Sequence, residues 1–186
     1  MRSVRCIKND KNPHVFLHTS STIVLKSEFN KTGGFPYGMK RNEDYAMFFS
    51  LALITTFIYT GFPLSIYVGG VQGQATSNNS KEIQEHIINR FNYTFRNWTK
   101  LGCSNSTFRI FLKYELRHYF ISSLKIKDYE TLNMFFNKLD SGIKKSFSSV
   151  EFFIMKRKYL NLLSILIILS SKIIWRVHSF PRFNES

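Results

Sequence analysis

Apolar and polar residues alternate in blocks along this chain, and the period of the blocks changes on the way. Ile23, Val24 and Leu25 form a short β-prone run between polar residues, which predicts a strand leading into a short turn of helix. Gly33-Gly34 follows and predicts a sharp turn. Asn42 suits an N-cap, with Glu43 and Asp44 in the first turn of a helix that carries Phe48, Leu51 and Ala52 at helical spacing. Residues 55–59 are β-branched and aromatic, Gly61-Phe62-Pro63 turns, and 64–68 predicts a second strand.

From Lys81 the period becomes helical. Ile83, Ile87, Phe91, Phe95 and Trp98 make one stripe, broken by Gly102 and Ser104. Phe108, Leu112, Leu116, Tyr119 and Leu124 make a second helix, and Tyr129, Leu132, Phe136 and Leu139 a third. Asp140-Ser141-Gly142 ends the third, and Ile143, Phe147, Val150 and Ile154 predict a fourth. Such stripes are core, packed on each other and on the sheet.

The last block is different again. Lys156-Arg157-Lys158 precedes an apolar run at 160–169, then Lys172, Trp175 and Arg176. That run falls short of the ~20 apolar residues that cross a bilayer, so it predicts a basic amphipathic helix lying in a membrane surface or, alternatively, a buried terminal helix. The +14 net charge sharpens the picture, because residues 1–80 carry +4 and residues 81–186 carry +10. Such a field attracts anionic lipid, nucleic acid or phosphorylated substrates and does not by itself choose among them. The aromatics sit on helical stripes rather than between basic residues, which argues against a nucleic-acid stacking surface.

At 186 residues, 44% hydrophobic and 16% aromatic, the chain has the material for a proper core. Cys6 and Cys103 stand at no metal or redox spacing and fit a reducing cytosol. Several Asn-X-Ser/Thr triplets, such as those at Asn92, Asn97 and Asn105, are read as chance in so Asn-rich a chain, and no apolar run behind Arg2 and Arg5 suggests a signal peptide. His86 and His118 have no second ligand at metal spacing and are read as surface or packing residues.

In order, the run at 23–25, the Gly33-Gly34-Phe35 turn and the Asn42-Glu43-Asp44-Tyr45 helix start resemble the second half of the catalytic domain of family 2 glycosyltransferases. The resemblance covers roughly residues 12–79. It implies an α/β fold, a partial GT-A-like sheet (the C-terminal half) followed by an α-helical C-terminal region. It also implies transfer of a sugar from a nucleotide-sugar to an acceptor hydroxyl, in cell-surface polysaccharide, lipopolysaccharide or glycolipid synthesis. By the same resemblance Asp44 is the general base with Glu43 beside it, and Gly33, Gly34, Phe35 and Tyr45 lie on the acceptor side. Inverting transfer needs a group that takes the acceptor's proton from a rigid support, and the first turn of a helix is rigid. Acidic residues also gather at helix starts merely to complement the dipole, so both roles stay open for Glu43 and Asp44.

The sequence departs from the family's pattern in three places. Ser50 stands where the family commonly has an arginine, Tyr67-Val68 lacks one, and the loop 69–76 has no histidine. A full member would also carry about a hundred further residues ahead of this point, by the usual size of a nucleotide-binding half. Those would hold the divalent metal, Mg or Mn, through an Asp-X-Asp motif. Here Asp10, Asp44, Asp128 and Asp140 form no such pair, so the metal ligands and donor site are expected from a missing half or a separate chain. The expected organisation is 1–79 as the acceptor side of the transferase domain, 80–155 as a helical region, and 156–186 as a basic membrane-surface helix and tail. The expected location is cytoplasmic, peripheral to the inner face of the cell membrane. The alternative is a non-catalytic basic helical module binding a membrane surface or polyanion.

Overall fold

The computed structural model describes residues 18–58, 81–104 and 106–155, with 157, 162, 163, 165, 166, 169 and 170. The chain divides into two compact units, Met1–Cys103 and Ser104–Ser186. In the first, a 3-10 turn at Thr19–Ser21 leads to α1 (Lys26–Lys31), α2 (Glu43–Ile54) and α3 (Lys81–Lys100). In the second come α4 (Ser106–Lys125), α5 (Tyr129–Lys138), α6 (Ser141–Lys144) and α7 (Ser149–Met155).

Among the described residues there is no strand and no sheet, which overturns the α/β, partial GT-A-like expectation. The backbone is extended at Thr22 and Leu25, but its polar groups go elsewhere than a ladder. Leu25 O accepts from Phe29 N at 3.0 Å as α1 begins, and Thr22 Oγ1 donates back to His18 O at 2.8 Å. Only Val24 turns inward, onto Met47, Phe48 and Leu51 of α2. Ile23 is 101% exposed and Leu25 73%. A three-residue apolar run has thus been satisfied by burying one side chain against a helix. The stretch at 55–58 behaves alike: Phe57 meets Phe48 edge-on at 6.5 Å, and Ile58 faces out. The strand expected at 64–68 and the loop at 69–76 lie outside the described residues.

Helix α2 is apolar on almost every side, burying Ala46, Met47, Phe48, Leu51 and Leu53, and so forms the centre of its unit. It packs against α3 and α1. The predicted α3 stripe holds at Ile87 and Phe91, which are buried, while Phe95 and Trp98 are half-buried and stack on each other at 5.7 Å.

In the second unit the helical stripes place most of the core, but Val150, expected within it, is 63% exposed because the chain restarts as α7. Phe120 is fully buried among Phe135, Phe136 and Phe147, at centroid distances of 5.8, 5.5 and 5.7 Å. The predicted fourth helix is instead two, α6 and α7, because Ser148 and Glu151 build a capping box. Ser148 Oγ accepts from Glu151 N at 3.2 Å, and Glu151 Oε2 accepts from Ser148 N at 3.0 Å.

Arg117 reaches the same carboxylate, with Nε donating to Oε1 at 3.1 Å and Nη2 to the same oxygen. Burial alone pushes the Glu151 carboxyl up, yet the Arg117 hydrogen bond, the Ser148 N–H and the charges of Arg117 and Lys113 hold it below its ordinary value. A depressed carboxylate adds stability that is present above the unfolded value, about 4.3, and is lost as pH falls through the folded one. We expect urea stability of the second unit to drop on acidification below about pH 4. Glu151→Gln should be less stable at neutral pH and show a flatter acid limb; an unchanged limb would remove Glu151 as its source.

Candidate functional site

The site is best built from α3 outward, because its inward arc is half apolar and half polar. Beside Ile87, Ile88 and Phe91 it buries His86, Arg90, Asn92, Thr94 and Asn97. Buried polar side chains need partners, and two of these, Arg90 and Asn97, find them with the half-buried Tyr93 on or beside the two motifs that carry the family resemblance. The Tyr93 hydroxyl lies 2.9 Å from Thr32 O and 3.2 Å from Gly34 O. Asn97 Nδ2 donates to Thr32 O and to Ser50 Oγ, both at 2.9 Å. Arg90 Nη1 donates to Asn42 Oδ1 at 3.0 Å. From Arg90 to Asn97 is roughly 10 Å of helix, at about 1.5 Å per residue, so both motifs are tied to one short length of α3.

The double glycine is a helix stop. Gly34 N donates to Phe29 O and Gly33 N to Asn30 O, both at 3.1 Å, which is the Schellman pattern closing α1. Gly34 sits at φ +68, and a Cβ there would lie 2.7 Å from Phe29 Cε1. Phe29 packs on the α2 cluster and edge-on against Phe35 at 5.4 Å, so it has little freedom to yield. Gly34→Ala is expected to cost about 2–4 kcal/mol, the left-handed strain plus the clash. Gly38, at φ +78 with nothing within 4 Å of its would-be Cβ, is the control. Gly38→Ala should cost only about 1–2 kcal/mol of left-handed strain, and equal urea midpoints for the two variants would contradict this.

The acidic motif differs in detail from its expectation. Asn42 occupies the N-cap position of α2, but at φ 60 and with no side-chain cap hydrogen bond, because its oxygen is turned to Arg90. The first-turn donor is met instead by Asp44, whose Oδ1 accepts from Tyr45 N at 2.8 Å. Asp44 and Glu43 are both half-buried in that first turn. Capping alone would produce the Asp44 contact. A carboxylate held by a backbone N–H on a rigid turn is fixed in position, which is one of the things a general base needs.

Of the expected acceptor-side residues, Gly33 and Phe35 face solvent, Phe35 at 47% exposure. Gly34 is buried beneath Phe29, and the Tyr45 ring is engaged by packing. The Arg90 guanidinium lies 5.5 Å from Tyr45, 5.3 Å from Phe49 and 4.6 Å from Phe91, a cation among three rings. Ser50 is fully buried, donating to Ala46 O at 2.8 Å and accepting from Asn97, so an arginine at this point would have no room. His86 is buried, His118 is exposed, and Cys103 carries a free thiol. Among the described residues no three His, Cys, Asp or Glu side chains are arranged to hold a metal ion.

Comparison with known proteins adds no relative: no family model matches the chain, and no curated protein or solved structure was found similar to it.

Sequence reasoning missed Arg90, Tyr93 and Asn97. The available signal was their own spacing, three and four residues apart, on the side of the helix next to Ile87 and Phe91.

Proposed function

We propose that this chain supplies the acceptor side of a sugar transferase similar to the family 2 glycosyltransferases. Asp44 takes the proton from an acceptor hydroxyl as that oxygen bonds to the anomeric carbon of a nucleotide-sugar. The anomeric bond to the diphosphate breaks, and its electron pair leaves with the nucleoside diphosphate. Glu43 adds negative charge beside the base. The acceptor is a glycan or lipid-linked sugar of cell-surface polysaccharide, lipopolysaccharide or glycolipid, and the donor nucleotide with its metal is held by residues other than those described here.

The observation that carries this reading is the joint tethering of the Gly33-Gly34 turn and the Asn42–Tyr45 helix start to α3 through Tyr93, Asn97 and Arg90. No sheet is required for it. The test is transfer of label from radioactive nucleotide-sugars into the glycan and glycolipid fractions of extracts from cells with and without the chain. A labelled product that depends on the chain, with matching release of nucleoside diphosphate, is expected; identical labelling across all donors would contradict the proposal. The second reading, a non-catalytic basic helical module, is favoured by the exposed apolar residues of the second unit.

A further inference from the structure

We infer that the second unit docks on an anionic lipid surface through the outward apolar residues of α7 and of the helical positions beyond it. Val150 and Phe153 of α7 are 63% and 53% exposed. The described residues at 162–163, 165–166 and 169–170 are helical, and Leu162, Leu163, Leu166 and Leu169 are 73%, 45%, 56% and 39% exposed. Leu162, Leu166 and Leu169 fall at i, i+4 and i+7, one face of a helix, with Leu163 next to it. Large apolar side chains scattered over a surface need no explanation, but exposed leucines recurring at helical spacing mark an interaction site.

Charge decides what covers that face. Lys156-Arg157-Lys158 lies between its two groups, and the Arg157 guanidinium sits 4.9 Å from the Phe153 ring. Residues 104–186 hold 14 Lys and Arg against 6 Asp and Glu. Leucines with a basic collar suit a bilayer surface, where the apolar chains enter the acyl boundary and the cations meet phosphate headgroups. A second copy of this chain is a poor occupant, since it would bring the same triple cation against itself. Among the described residues no helix is long and apolar enough to cross a membrane. The inference is independent of the sugar-transfer reading.

The experiment is flotation of the full chain with phosphatidylcholine vesicles, with and without phosphatidylglycerol. Binding should require phosphatidylglycerol and weaken as salt is raised. Leu162→Glu with Leu166→Glu should reduce it at least tenfold, and each of Lys156→Glu, Arg157→Glu and Lys158→Glu about fivefold or more. These apolar positions are exposed, so the circular dichroism spectrum should not change. Three results would overturn the inference. They are equal binding to both vesicle types, binding indifferent to the leucine pair, and a dimer in light scattering that the leucine pair dissolves.

Discussion

Replacing Arg90 by alanine is expected to destabilise the first unit by about 3 kcal/mol or more. The side chain is 4% exposed and holds three aromatic rings and the Asn42 amide oxygen at once. Truncation leaves a cavity beside Tyr45, Phe49 and Phe91 and strips Asn42 of the donor that faces it in a left-handed conformation. Arg90→Lys keeps the charge but loses the flat, forked guanidinium, so it should fall between wild type and alanine. Trp98, on the same helix, reports the transition by fluorescence in urea once Trp175 is replaced by phenylalanine. A midpoint for Arg90→Ala within error of wild type would show that the cation among the rings contributes nothing.

The part of this fold that could be read along the chain is the part held by local periodicity. Leu112, Leu116 and Leu124 of α4 and Leu132 and Phe136 of α5 are buried where a 3.6-residue period places them. Asp140, read only as a helix stop, in fact opens α6 by accepting from Gly142 N at 2.8 Å. The run at 23–25 misled because β-prone residues describe a fit to a half-buried surface, and the side of α2 supplied that surface to Val24 without a neighbouring strand.

The site was legible only in outline. The turn and the acidic helix start could be located from Gly33-Gly34-Phe35 and Asn42-Glu43-Asp44-Tyr45, but not what joins them. The joining hydrogen bonds span 47 to 65 positions along the chain, and no periodic pattern encodes a partner at that separation. A polar residue on a helix is assigned to solvent by default, so Arg90 and Asn97 were hidden by the rule that found Ile87 and Phe91. Asn42 failed as a capping residue for the same reason: its side chain has a distant and better partner.

Asp44→Asn is expected to lower sugar transfer by roughly 10²- to 10⁴-fold, the usual contribution of a positioned general base. The amide is nearly isosteric, and its oxygen can still accept from Tyr45 N, so the start of α2 should persist. Loss of the negative charge from the first turn should cost no more than about 1 kcal/mol of stability. The separation between these two effects is what distinguishes a base from a cap. A cap-only Asp44 would give a small stability loss and unchanged turnover. The decisive measurement is therefore the initial rate of label transfer by wild type and Asp44→Asn, at matched abundance in the same extracts, alongside their urea midpoints. Transfer lost with the midpoint nearly unchanged is the predicted result; transfer retained would contradict Asp44 as the group that receives the acceptor's proton.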